Sequence, residues 1–196
     1  FESAFVLKES HRSNALFQHR RYGMKNNIEL AVHSLTFPLI PNIMIKKQHF
    51  FDSPIAMASR ITMYSPTPLL KLLQKQGIGG LLSDELDIGD VPISFINRYE
   101  VLFSIPLDII QLTLKQGFTL GLNQSMDQRL SIDLPFIVNR LSPMHQHYGF
   151  NMGADIRYQL SSTIDVLTDI DMYFYHDTYI EHKLLLQIEA IQKIDF

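Results

Sequence analysis

Residues 148–160 read Tyr-Gly-Phe-Asn-Met-Gly-Ala-Asp-Ile-Arg-Tyr-Gln-Leu, an unbroken alternation of side-chain character. Phe150, Met152, Ala154, Ile156, Tyr158 and Leu160 fall on one side, and Gly149, Asn151, Gly153, Asp155, Arg157 and Gln159 on the other. That is the period of two of an extended strand. The pattern resumes after Ser161 and Ser162, with Ile164, Val166, Thr168, Ile170, Met172 and Phe174 opposite Asp165, Leu167, Asp169, Asp171, Tyr173 and Tyr175. A third run sets Ile180, Leu184, Leu186, Ile188, Ala190, Ile194 and Phe196 against Glu181, Lys183, Gln187, Glu189, Lys193 and Asp195. Strands this long, with charges in their middle, need an apolar surround along one face and a polar one along the other. Lipid outside a barrel and a polar lumen inside it supply both.

Upstream the same period recurs. Ile93, Phe95, Tyr99, Val101, Phe103 and Ile105 oppose Ser94, Arg98, Glu100 and Ser104; a turn is expected over Pro106 to Asp108. Ile110, Leu112, Leu114, Phe118, Leu120 and Leu122 then oppose Gln111, Thr113, Lys115, Gly117, Thr119 and Gly121. Leu130, Ile132, Leu134, Phe136 and Val138 against Ser131, Asp133 and Asn139 predict another strand, with Pro135 marking a bulge. Further strands are expected at Ile28 to Phe37, Asn42 to Phe50 and Ile55 to Tyr64, and weaker ones at Phe1 to Glu9 and Ser13 to Arg21.

The apolar positions Ile188, Ala190 and Ile194 leading to an aromatic Phe196 resemble the last strand of Gram-negative outer-membrane β-barrel proteins, although Gln192 breaks the pattern. The resemblance implies an all-β fold: one antiparallel transmembrane β-barrel over residues 1–196, of about 10–12 strands. It implies a bacterial outer-membrane location and contact with outer-membrane lipid.

Composition fits. With 46% hydrophobic and 19% charged residues and no long apolar run, transmembrane helices are excluded while barrels are not. A net charge of −3 gives no footprint for nucleic acid. Cysteine is absent, which removes disulfides and thiolate metal sites, and tryptophan is absent, so Tyr and Phe must form the aromatic girdles. Phe1 is preceded by no basic stretch, so any export signal is expected to have been removed. Soluble lipocalin-like barrels and β-sandwiches also alternate, but their strands are shorter and their polar faces richer in Lys and Glu.

One segment, residues 65–91, is not strand-like. Thr67 as a cap, Pro68 at the first helical position and Leu69, Leu70, Leu72 and Leu73 predict a short amphipathic helix, followed by a hinge at Gly77, Gly79 and Gly80. This insertion is a candidate plug or cover. Counting strands back from a periplasmic C-terminus places Ser161–Ser162 in the periplasm and 140–147 and 176–179 outside. The insertion then falls on the periplasmic side, where long connections are unusual unless one strand is miscounted.

The charges expected to line the lumen are Arg60, Arg98, Glu100, Lys115, Asp133, Asp155, Arg157, Asp165, Asp169, Asp171, Glu181, Lys183 and Glu189. They either pair across the lumen or form charge rings along a water path, with Asp165, Asp169 and Asp171 as the cation-attracting group. His145 and His147 with His176 or Asp177 lack metal-site spacing, and Asp84, Glu85, Asp87 and Asp90 around Gly89 fail the calcium-loop pattern. No metal or cofactor is expected. Ser142 with His145, or His176 and Asp177, are the nucleophile and base candidates at the outer rim for a lipid-modifying hydrolase or acyltransferase, but no Gly-x-Ser-x-Gly elbow occurs. The leading expectation is a small porin-like channel or transport pore. The alternatives are a plugged barrel serving a larger envelope assembly with other envelope proteins, and the rim enzyme.

Overall fold

A computed structural model describes residues 3–14, 19–49, 55–73, 93–122, 147–160, 164–174, 178–188 and 190–193, the last two by backbone alone. Among these residues there are eleven antiparallel strands: β1 (His11–Asn14), β2 (Arg20–Met24), β3 (Ile28–Val32), β4 (Asn42–His49), β5 (Ala56–Tyr64), β6 (Phe95–Leu107), β7 (Ile110–Leu122), β8 (Tyr148–Gln159), β9 (Ile164–Phe174), β10 (Thr178–Ile188) and β11 (Ala190–Lys193). A single helix, α1, spans Thr67–Leu73.

Each strand from β1 to β10 pairs with the next, and β11 pairs with β1 over His11↔Lys193 to Asn14↔Ala190. Only Glu189 separates β10 from β11 in the chain, so one stretch of backbone serves both ends of the strand order. This is a transmembrane β-barrel joined at a short seam.

The alternation sorts side chains between the two faces. Along β7, Leu114 is 49% exposed and Phe118 37%, whereas Thr113, Lys115 and Thr119 are each at or below 3%. A soluble sheet would show the reverse. Outward, the register places Ile45, Ile61, Tyr99, Phe118, Phe150 and Phe174 in one row across adjacent strands. Within it, Tyr99 stacks on Phe118 with centroids 5.2 Å apart, and Phe118 lies 6.4 Å from Phe150. An exposed apolar surface this extensive belongs against lipid.

Turn chemistry sets the hairpins. Asn26 and Asn27 both take left-handed φ between β2 and β3, and Asp108 does so between β6 and β7, a conformation that Asn and Asp tolerate. β6 therefore runs through Pro106, opposite Gln111, and the turn lies at 108–109, later than expected.

Three expectations are corrected. Residues 3–8 form no strand of the sheet, and 3–7 lie inside the barrel. β7 pairs directly with β8, with β6 and β9 on their other edges, so no strand stands between them. The expected strand at Leu130 to Val138 falls outside the described residues. With β7 joined directly to β8, the parity of every earlier connection is the reverse of that expected: 65–94 connects strands at the same end as 33–41, 123–147 and 175–177, and the short turns 25–27, 108–109 and 160–163 connect them at the other.

If the outer face meets lipid, Leu114→Arg near the middle of β7 will destabilise the folded barrel by about 2–4 kcal/mol. Urea titration in lipid vesicles, read by the mobility shift of unheated protein on a gel, measures this directly.

Candidate functional site

The polar face of the sheet carries the candidate chemistry. One inward row of the register reads Gly23, Glu29, Lys46, Arg60, Glu100, Gly117, Asn151 and Tyr173. Acid and base neighbour each other along it. Lys46 Nζ lies 3.1 Å from Glu29 Oε1, with Arg21 at 3.8 Å from the other carboxylate oxygen. Arg60 Nε donates to Glu100 Oε2 at 2.7 Å, Arg98 reaches Glu100 Oε1 at 2.6 Å, and Asn151 Nδ2 adds a bond at 3.1 Å. Arg98 also sits 5.8 Å from the centroid of the Tyr173 ring. Glu29 and Glu100 are almost wholly withdrawn from solvent, so they depend on these cations: an unpaired buried carboxylate would cost several kcal/mol.

Glycine makes the row possible. A Cβ at Gly117 would collide with the Tyr99 carbonyl and Glu100 Cγ. Two residues toward the short turns, Lys115 Nζ meets Asp155 at 2.9 Å and Asp169 and Asp171 at 2.8 Å each. Asp155 and Asp169 are direct cross-strand partners, a repulsive arrangement that the shared ammonium offsets. Lys115 reaches Asp171 across Gly153, where a Cβ would strike both side chains. Nearer the turns, Arg157 Nη2 pairs with Asp165.

The second component is chain. Residues 3–7 cross the half of the lumen nearest the short turns, and wall side chains satisfy their backbone. Ser104 Oγ accepts the Ala4 N–H at 2.8 Å, Gln48 Oε1 that of Val6 at 3.3 Å, and Glu29 Oε2 that of Leu7 at 2.9 Å. Lys46 Nζ donates to the Ser3 and Phe5 carbonyls at 3.1 and 2.8 Å. Gln111 Nε2 holds Ser3 Oγ at 2.9 Å. Ala4 packs among Ala56, Ala58 and Leu102, with Phe5 alongside.

The positions singled out from sequence therefore divide. Arg60, Arg98, Glu100, Lys115, Asp155, Arg157, Asp165, Asp169 and Asp171 lie on the inner face in the ion pairs above. Asp165 pairs with Arg157 whereas Asp169 and Asp171 share Lys115, so the three aspartates do not make one cation-attracting surface. Glu181 and Lys183 stand opposite Asp171 and Asp169 in the register. Asp133, Glu189, Gly77, Gly79 and Gly80 fall outside the described residues, as do Asp84, Glu85, Asp87, Asp90, Ser142, His145, His176 and Asp177. His147 is exposed before β8. Among the described residues no His and carboxylate cluster could hold a metal.

Helix α1 is tied to its neighbours at its first turn. Thr67 is buried, with Oγ1 accepting the Ser94 N–H at 2.8 Å, while Pro68 is exposed. The Leu69 N–H bonds the Leu39 carbonyl at 3.0 Å, fixing the helix to the 33–41 connection. Sequence reading missed Lys46, Gln48 and Gly23 as parts of the interior. The parity of Lys46 and Gln48 with Asn42 was the available signal.

No family model and no curated protein matches the chain. Among solved structures, the Yersinia pestis outer membrane protein Ail in a phospholipid bilayer nanodisc aligns over 94% of this chain and 100% of its own, at 8% identity and a TM-score of 0.42.

Lys115→Met will leave three carboxylates around a neutral side chain and destabilise the barrel by about 3–5 kcal/mol. Adding Asp169→Asn to that variant will recover part of the loss in the same urea titration, because one of the stranded charges is gone.

Proposed function

We propose that the chain is a closed barrel of the bacterial outer membrane that serves a larger envelope assembly, not an open channel. The observation that carries this reading is the lumen itself: residues 3–7 cross it, and paired charges fill it beyond them. An ion on that route would have to break charge-assisted bonds between buried partners, each worth more than a neutral hydrogen bond. Charge rings that conduct face water and bind loosely; these side chains face one another.

A closed barrel leaves its rim to do the work. The longer connections 33–41, 65–94 and 123–147 gather at one end, which is the outer end if the C-terminal strand finishes on the periplasmic side. Helix α1 and the 33–41 connection brace one another there, giving that end an ordered platform. Other envelope proteins are the partners such a platform suits, and outer-membrane lipid surrounds the barrel.

The test is ion conductance in a planar lipid bilayer. The intact protein, shown by protease protection to be inserted, will be electrically silent. Deleting residues 1–8 will raise current above that baseline, and the increase will grow when Glu100→Gln loosens the Arg60–Arg98 pairing. Steady openings of the intact chain would overturn the closed reading and restore the pore.

A further inference from the structure

Among the described residues, 3–7 are bound in a way that the strands are not. Strand backbones satisfy one another in ladders, but this segment offers its backbone to side chains of β3, β4 and β6. Three N–H groups and two carbonyls are taken in five residues. The two carbonyls, of Ser3 and Phe5, go to a single ammonium from either side of a bend at Ala4. Side-chain selection enters at two points: the small Ala4 against Ala56, Ala58 and Leu102, and Ser3 Oγ on Gln111. Main-chain bonding for affinity and a pocket for one side chain is the logic of peptide recognition.

From this we infer that the turn-end half of the lumen is a binding site for a short peptide, with residues 3–7 as its tethered occupant. The site takes a peptide with a small residue where Ala4 lies. The inference rests on the closed-barrel reading for its biological setting only. Gly23 forms the entrance. The Leu7 and Lys8 carbonyls pass so near its Cα that a Cβ would collide with both, and the Ser10 N–H bonds the Gly23 carbonyl at 3.1 Å.

The experiment folds the full chain carrying a short protease recognition sequence between Lys8 and Glu9, both exposed, and then cuts it. The severed peptide is expected to stay with the barrel through gel filtration. Its residence time is expected to fall about tenfold in Lys46→Met, which loses two charge-assisted bonds, and about fivefold in Ser104→Ala, which loses one neutral bond. A labelled synthetic peptide of residues 1–8 will exchange into the cut barrel, and its Ala4→Trp form will not. Immediate loss of the severed peptide, equal residence in wild type and both variants, or equal uptake of the Trp form would each overturn the site. If Lys46→Met does not fold, Ser104→Ala decides alone. If the inserted sequence resists cutting, Gly23→Val in the uncut chain decides: chymotrypsin should cleave after Phe5 in the folded variant and spare the wild type, and equal protection of both overturns the proposal. Conductance before cutting would refute the closed barrel separately, while peptide residence still decides the site.

Discussion

The constraint on which the rest depends is charge neutralisation in a narrow interior. A barrel in lipid must turn its polar residues inward, and a barrel of this size brings those residues within bonding distance of one another. Coulomb attraction is strong in such surroundings, but so is the penalty for removing each ion from water, and only multiply bonded partners come out even. Glu100 illustrates the solution, receiving two arginines and an amide. Lys115 is its mirror image, one ammonium among three carboxylates. The inward glycines follow from the same requirement, because side chains on strands two apart can meet only where the residue between them gives up its own volume.

The segment that crosses the lumen is subject to the same rule. A backbone placed inside a barrel outside any ladder carries orphan donors and acceptors, and leaving them unmet would cost more than the packing of a few apolar side chains returns. The interior meets them with the groups it already uses for ion pairs. Glu29 divides its carboxylate between Lys46 and the Leu7 N–H, and Lys46 divides its ammonium between Glu29 and two carbonyls. Segment and wall are thus one polar network.

The sheet was largely legible in the sequence because β4 to β9 carry a clean period of two, with apolar rows facing lipid. Assigning Arg60, Arg98, Glu100 and Lys115 to the polar face needed no structure. What could not be read was set by register and by distance along the chain. That Lys115 gathers Asp155, Asp169 and Asp171 depends on Gly153 standing between β7 and β9. Ser3 to Leu7 alternates like a strand, and the side chains that hold it lie as far away as Ser104 and Gln111. That β7 and β8 take each other as partners was likewise beyond the reach of alternation, which marks a strand but not its neighbour.

The distribution of ion pairs along the chain also bears on how the barrel enters a bilayer. Glu29 with Lys46, Arg60 with Glu100, Lys115 with Asp155 and Arg157 with Asp165 each join neighbouring strands. Each of these charges therefore finds its counter-ion on the strand beside it, so a sheet growing by neighbouring strands pairs its charges as it grows. Residues 3–7 obey a different chronology. They precede the described strands in sequence, yet their anchors extend to β6 and β7, so a stretch made before the sheet is among the last to reach its resting place.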